Sequence, residues 1–296
     1  MVNFLLHDAN YIGLDGNMKK ARIVVCNMLI RNESWIIKAS IPAALNFCDY
    51  LVIGNDASTD STPSIIASLK DEYPDRISTI NFKRDNTFNE MQKRESLLQF
   101  TYKLGADIVL LLDADEMITR NLQEILTNTF NTMGSNEAIL LPMIPVWRSL
   151  STWRNDNSVW SKVCVPIAFT TAAEYHYFVR PDGYEFHSRL PRDSAFTQII
   201  LNENQRQIYG GILHFQWVNW KRLVAKQLWY KSVERKRWGT PEDVLTRRYN
   251  PSMDETHIRL ATMRTEWTKG YALNSINLKD NGDWYNQERR NNEQHV

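Results

Sequence analysis

The chain has 296 residues, of which 43% are hydrophobic and 23% charged, and 35 Lys and Arg against 34 Asp and Glu give a formal net charge of +1. This composition is typical of a globular protein with a sizeable core, and it excludes a disordered chain and a strongly basic nucleic-acid binder. The longest apolar stretches, residues 108–112 and 138–147, are far shorter than the roughly 20 residues that span a bilayer.

Strands and helices are predicted to alternate along the first half of the chain. Buried strands are predicted from runs of β-branched and aliphatic residues at 22–30, 50–54, 77–82, 108–112 and 138–143. Helices are predicted from apolar spacing at 34–46, 63–73, 89–104 and 122–130. Farther along, 159–169 and 211–215 favour strands, and 217–238 favours a helix. This alternation predicts an α/β fold with a mostly parallel sheet flanked by helices and a C-terminal helical extension.

The three cysteines and the N-terminal segment bear on the cellular compartment. Cys26, Cys48 and Cys164 are scattered and odd in number, which favours reduced thiols and fits no clustered zinc pattern. Residues 1–16 lack the basic start and continuous apolar core of a secretory signal. We therefore expect a cytoplasmic protein without an integral membrane segment.

Two aspartates follow the predicted strand at 108–112. In an extended chain Asp113 and Asp115 point to one face, while Ala114 points to the other. Two carboxylates on one face suit Mg²⁺ or Mn²⁺, with a diphosphate completing the coordination shell. A solvated turn at the end of a strand would account for the same residues.

A second polar segment follows the strand at 50–54. Ligands of open α/β sheets bind beyond the carboxyl ends of the strands, so this segment and Asp113–Asp115 are expected at one edge. Asp56 is suited to accept hydrogen bonds from a nucleotide base or a ribose. The residues around it also form an ordinary turn, in which Ser61 or Thr62 would cap the following helix.

Four ordered motifs resemble those of family 2 glycosyltransferases. They are the segments ARIVVCNMLIRNE and DYLVIGNDASTDST, the Lys93-Arg94-Glu95 stretch of a helix, and ADIVLLLDADE. The resemblance is clear over residues 21–130 and weaker from 131 to 235. It implies the GT-A fold, in which a nucleotide-sugar-binding α/β half is joined to an acceptor-binding half. It also implies a divalent metal and sugar transfer from a nucleoside diphosphate donor, UDP above all, with inversion.

The resemblance also implies roles for several residues. Asp56 matches the aspartate that binds the base, and Arg94 matches an arginine near the base and diphosphate, although Glu95 replaces the usual asparagine. Asp113 is expected at the ribose or the metal, and Asp115 at the metal.

Two further residues have an ordinary structural reading beside the implied one. Glu33 matches an Asn-Glu pair after the first strand, and it would equally serve as a carboxylate near a helix N-terminus. His214 stands where many GT-A enzymes place a third protein ligand to the metal, and a histidine in the core accounts for it as well.

The catalytic base is predicted within the segment RPDGYEFHSRLPRD. A base must lie within hydrogen-bond reach of the acceptor hydroxyl, and Asp182, Glu185 and His187 are the candidates. Asp193 lies in the same segment, whose arginines, Arg189 among them, would alternatively steady the departing diphosphate. A plain loop accounts for this segment too.

The predicted organisation has four parts: residues 1–20 as an extension, 21–145 as the nucleotide-sugar-binding half, 146–218 as the acceptor-binding half, and 219–296 as a helical region and tail. Residues 221–237 carry seven basic residues against Glu234. They form a solvated helix face, or they contact a membrane surface, a nucleic-acid backbone or the donor diphosphate. The acceptor stays open between a glycan, a peptide, a lipid-linked sugar and a modified nucleic acid.

Two other functions compete with a transferase. A catalytically silent protein that binds a nucleotide sugar or a glycan would have the same fold, and the unidentified base leaves room for it. A nucleotidyltransferase also uses paired aspartates, but it is expected to carry a Gly-rich basic loop after the first strand, where this chain has NMLIRNESW.

Overall fold

The computed structural model describes residues 10–12, 18–84, 89–171, 175–178, 188–191 and 196–293. The strands within these ranges are β1 (Asn10–Ile12), β2 (Met18–Lys20), β3 (Val24–Ile30), β4 (Tyr50–Asp56), β5 (Ile77–Phe82), β6 (Ile108–Leu111), β7 (Glu116–Ile118), β8 (Glu137–Pro145), β9 (Thr152–Arg154), β10 (Cys164–Thr170), β11 (Thr197–Ile200), β12 (Ile212–His214) and β13 (Leu260–Thr262). The helices are α1 (Ile37–Ala44), α2 (Thr62–Glu72), α3 (Glu90–Lys103), α4 (Gln123–Thr132), α5 (Val159–Lys162), α6 (Arg206–Tyr209), α7 (Trp220–Trp238), α8 (Glu242–Tyr249) and α9 (Asp283–Glu293).

One large sheet organises the molecule. Its strand order is β5-β4-β3-β6-β10-β8-β12-β7, with β11 beside β8, and two small sheets pair β1 with β2 and β9 with β13. The strands β5, β4, β3 and β6 are parallel, whereas β10 runs antiparallel to both β6 and β8. The predicted α/β class, with a mostly parallel sheet and a C-terminal helical region, is confirmed. Because β3, β4 and β6 are parallel, their carboxyl ends meet at one edge.

Most predicted elements agree with the structure to within a few residues, and one differs in kind. Residues 159–169 were predicted to favour a strand, but the segment begins with the short helix α5 and becomes extended at Cys164. The Ser158 side chain caps this helix by accepting a hydrogen bond from the Ser161 amide. Asp156 in turn accepts from the Ser158 amide at 2.8 Å. This local hydrogen bonding favours a helical turn over a strand.

Strand β12 enters the sheet at a site where only a glycine fits. It lies between β8, to which it is parallel, and β7, to which it is antiparallel. A Cβ atom on Gly211, directly before β12, would lie 2.0 Å from the carbonyl oxygen of Pro142 in β8. This close approach continues the register of β12 with β8, in which His214 lies opposite Pro145.

Helix α7 is fastened to the loop after β3 by a buried arginine. Arg222 is only 4% exposed, and its Nη2 donates to the Glu33 carboxylate at 3.0 Å and to the Asn32 carbonyl at 2.9 Å. Its Nη1 donates to Asp280 at 3.0 Å, and its guanidinium lies 5.0 Å from the centre of the Trp35 ring. A single side chain therefore joins α7 to the loop after β3 and to the segment before α9.

The basic residues of 221–237 do not share one environment. Arg222 is buried and Lys226 is largely buried, whereas Lys221, Arg235 and Lys236 are exposed. Peripheral contact with a membrane through this helix stays a prediction. In the part of the chain that the structure describes, no helix combines the length and apolarity needed to cross a bilayer.

Candidate active site

A large cavity lies at the carboxyl edge of the parallel strands, where the sequence predicts a ligand. It has a volume of about 780 Å³ and is lined at this edge by Asp56, Arg94, Asp113 and Asp115. Residues of α7, α8 and α9 complete its lining, among them Lys226, Tyr230, Tyr249 and Trp284. The predicted nucleotide-binding residues and the C-terminal helices therefore share one cavity.

The loops after β3 and β4 are locked together beside this cavity. Asn32 has a positive φ of 53°, and its side-chain oxygen accepts from the Thr59 amide at 2.6 Å. The Asp60 carboxylate accepts from the amides of Ser34 at 3.2 Å and Thr62 at 2.9 Å. Burial opposes the charge of Asp60, but these hydrogen bonds outweigh it and lower the pKa of that carboxyl. The Asp60 carboxylate, rather than the side chain of Ser61 or Thr62 as predicted, accepts a hydrogen bond from the first amide of α2.

Asp56 is held by a lysine that sequence reasoning did not single out. Asp56 ends β4, and its Oδ1 accepts from Lys93 Nζ at 2.7 Å. Lys93 lies on α3 and is only 7% exposed. The ammonium fixes one carboxylate oxygen of Asp56, while the second oxygen has the chemistry to accept from a ligand.

The first aspartate of the Asp113-Ala114-Asp115 motif lies between two arginines. Its Oδ1 accepts from Arg94 Nη2 at 3.0 Å and its Oδ2 from Arg189 Nη2 at 3.1 Å. Arg94 also donates to Glu90 at 2.8 Å, and Arg189 pairs with Glu116. Burial alone would lower the pKa of Arg94, but its two carboxylate partners raise it, so the guanidinium stays charged.

The second aspartate of the motif is deeper and has different partners. Asp115 is 4% exposed; its Oδ1 lies 3.5 Å from His214 Nε2, and its Oδ2 accepts from Lys226 Nζ at 3.3 Å. Burial would raise the pKa of the Asp115 carboxyl, but Lys226 and His214 hold it well below its usual range. For Lys226, burial would lower the pKa, and Asp115 raises it well above the ordinary value. Asp115 and Lys226 are therefore a carboxylate and an ammonium.

The donor atoms at this edge fit a divalent metal in part. Asp115 Oδ1 and His214 Nε2 lie 3.5 Å apart. Neighbouring ligands of one metal ion, each with a bond of about 2.1 Å, are expected about 3 Å apart, so the two atoms are close to that separation. His214 Nδ1 is buried without a hydrogen-bond partner. Both oxygens of Asp113 bind arginines instead, and no group of three or more metal-binding side chains occurs among the described residues. Asp115 and His214 thus fit two ligand positions of a shell that a bound phosphate would extend.

Glu33 lines the same cavity, but its carboxylate binds protein groups. Its Oε2 accepts from Arg222 at 3.0 Å and also from the Trp35 indole. Burial raises the pKa of Glu33, and Arg222 opposes that shift. In this arrangement the side chain joins the loop after β3 to α7.

The predicted catalytic bases Asp182, Glu185 and His187 lie outside the described residues, as does Asp193. Arg189, from the same segment, is described and contacts Asp113. Sequence reasoning did not assign Lys93 or Lys226. Lys93 lies next to Arg94 in one of the motifs that carry the resemblance, whereas Lys226 had only the general excess of positive charge in 221–237 as a signal.

Comparisons with known proteins found similarity in solved structures alone. No family model and no curated protein matches the chain. A crystal structure of residues 1–349 of TarS from S. aureus is 13% identical over 90% of this chain and 80% of that one, with a TM-score of 0.44. The same protein in complex with UDP is 15% identical over 51% of this chain and 47% of that one, with a TM-score of 0.38. This chain therefore matches about half of that structure's length.

A third structure similar to this chain is glucosyl-3-phosphoglycerate synthase from Mycobacterium tuberculosis in complex with Mn²⁺ and UDP-glucose. It is 16% identical over 42% of this chain and 44% of that one, with a TM-score of 0.30.

Proposed function

We propose that this protein is a family 2 glycosyltransferase that moves a sugar from a nucleoside diphosphate sugar, with UDP as the nucleotide, to an acceptor hydroxyl. One observation carries the proposal. Asp56, Arg94, the Asp113–Asp115 motif and His214, which come from four separate segments, line one cavity at the carboxyl edge of the sheet. Binding sites of open α/β sheets lie at this edge.

The donor nucleotide would lie between the base-binding and diphosphate-binding groups. Asp56, anchored by Lys93, offers its second carboxylate oxygen to an N–H group of the base. Arg94 and Arg189 each carry five N–H donors and use only some of them on carboxylates. Their remaining donors are suited to diphosphate oxygens, with Asp113 holding both guanidinium groups in place.

Asp115 and His214 would hold Mn²⁺ or Mg²⁺, which when bound supplies Lewis-acid stabilisation of the departing diphosphate. Backbone hydrogen bonds hold Asp115 and His214 in place before a ligand binds. The Phe215 amide donates to the Asp115 carbonyl at 2.9 Å, and the pairing of β12 with β7 holds the backbone of His214. Preorganised charges of this kind favour the transition state because little reorganisation is needed.

We propose direct displacement with inversion at the anomeric carbon. The acceptor hydroxyl oxygen forms a bond to that carbon while the bond to the diphosphate oxygen breaks, and the electron pair leaves with the nucleotide. A base removes the hydroxyl proton, and Asp182, Glu185 and His187 stay the candidates for it. They precede Arg189 by two to seven positions in the sequence.

The experiment is a panel of nucleotide sugars tested by thermal shift and by release of free nucleotide, with Mn²⁺ or with EDTA. The wild type is compared with Asp56→Ala, and with Asp71→Ala on the exposed face of α2 as the control. We expect one donor to stabilise the wild type and the control, and to be hydrolysed slowly by both, with both effects weakened in Asp56→Ala. Stabilisation without nucleotide release by any donor would favour a silent nucleotide-sugar-binding protein. No stabilisation by any nucleotide would refute the donor site.

A further inference from the structure

The ammonium group of Lys226 lies beside Asp115, the carboxylate expected to bind the metal. Its Nζ lies 3.3 Å from Asp115 Oδ2, and this is the only ion pair that Lys226 makes among the described residues. The side chain comes from α7, in a region where the resemblance to known transferases is weak. The side chain is 17% exposed and lines the cavity, which places it within reach of a ligand bound there.

The ammonium group has more donors than Asp115 uses. A lysine carries three N–H donors, and one hydrogen bond to Asp115 is present. His214 contacts the other oxygen of the same carboxylate, so Asp115 holds Lys226 on one side and the imidazole on the other. A diphosphate bound beside Asp115 and His214 would therefore lie next to Lys226.

We propose that Lys226 binds the donor diphosphate directly, which gives the protein affinity for the nucleotide without a divalent cation. This inference rests on the proposed donor site. Because the ammonium pairs with Asp115, it also opposes a divalent cation at that carboxylate through like-charge repulsion. Lys226 thus favours the diphosphate and disfavours the free metal ion, two effects of opposite sign on two different ligands.

Calorimetric titrations of wild type, Lys226→Met and Lys226→Arg test this inference. UDP and uridine are titrated in EDTA, and Mn²⁺ is titrated without nucleotide. Lys221→Met is the matched control, because Lys221 lies on the same helix and is exposed. Thermal unfolding of each variant confirms that it is folded.

We expect Lys226→Met to weaken UDP binding in EDTA by roughly 10- to 100-fold, the value of one charge-assisted hydrogen bond, and to leave uridine binding unchanged. Mn²⁺ binding should become tighter by roughly tenfold once the competing charge is gone. Lys226→Arg should retain most of the UDP affinity, and Lys221→Met should match the wild type. A merely structural defect would weaken both UDP and Mn²⁺ binding.

Two results would overturn the inference and leave the donor site in place: UDP binding by Lys226→Met in EDTA within twofold of wild type, or a loss of Mn²⁺ affinity together with UDP affinity. If the wild type binds UDP only with Mn²⁺, the cation-independent role of Lys226 is refuted as well. If the wild type binds neither UDP nor uridine with or without Mn²⁺, the proposed function itself fails.

Discussion

Replacing Arg222 with methionine should destabilise the protein strongly, because it leaves the Glu33 carboxylate buried without its cation. Methionine keeps much of the apolar stem but removes the ion pairs to Glu33 and Asp280 and the hydrogen bond to the Asn32 carbonyl. Removing one partner of a buried ion pair costs about 3–5 kcal/mol. At about 2 °C per kcal/mol for a chain of this size, we expect the melting temperature to fall by roughly 8 °C.

A double mutant separates the buried charge from the lost packing. Glu33→Gln combined with Arg222→Met removes the uncompensated carboxylate and keeps an oxygen that accepts from the Trp35 indole. The double mutant should therefore be more stable than Arg222→Met alone. Arg235→Met is the control, since Arg235 lies on the same helix and its ion pair with Glu242 is exposed. Exposed pairs contribute about 0–1 kcal/mol, so its melting temperature should change little.

The destabilisation should also depend on pH. Burial raises the pKa of Glu33 and Arg222 opposes that shift, so in Arg222→Met the pKa rises further. A group whose pKa is higher in the folded than in the unfolded state stabilises the fold at low pH and loses that contribution as pH rises. The difference in melting temperature between wild type and Arg222→Met should therefore be smaller at pH 5 than at pH 8. A difference below 2 °C at both pH values, or a double mutant no more stable than Arg222→Met, would refute this reasoning.

Two further predictions concern the sheet and the site. Gly211→Ala should lower the free energy of unfolding, measured in urea, by about 3 kcal/mol. The added Cβ would lie 2.0 Å from the Pro142 carbonyl oxygen, and a backbone atom cannot move away as the end of a flexible side chain can. Gly134→Ala, which meets only a flexible side chain at 3.3 Å, should change the free energy of unfolding by no more than about 0.5 kcal/mol; equal losses would contradict the close approach. The Asp115 carboxyl has a pKa below its unfolded value, so its stabilising contribution is lost progressively as the pH falls below the unfolded pKa of about 4 towards the folded one. Acidification from pH 5 to pH 3 should therefore lower the melting temperature of wild type more than that of Asp115→Asn, and parallel losses would contradict the assignment.

The strands of the parallel sheet could be predicted because their sequences report burial directly. Strand β6 is a continuous aliphatic run, and β3 and β4 are largely apolar, which is the pattern of strands covered on both faces. The polar residues at the ends of these strands mark the edge. Asp56 and Asp113 were found by this logic together with the resemblance.

Helix α7 shows why the rest of the site was not predicted. Its apolar residues at four-residue spacing, Trp220, Val224 and Leu228, are only partly buried, whereas the charged Arg222 is buried. A charge is buried at acceptable cost when it meets an opposite charge. Glu33 and Asp115, which Arg222 and Lys226 meet beside the cavity, lie more than 100 residues away in the sequence. Local periodicity carries no information about such partners.

The order of the residues along the chain determines when the cavity is completed during translation. The carboxyl edge of the sheet, with Asp115 and Glu33, leaves the ribosome well before α7 and α9, whose side chains neutralise and cover these acids. Until residues 220–293 have docked, those carboxylates are hydrated and the cavity lacks much of its lining. Because chains fold progressively as they are made, a nascent chain would have the parallel strands without the finished cavity. If the cavity binds a nucleotide sugar as proposed, that competence is acquired late, after the C-terminal helices have joined the sheet.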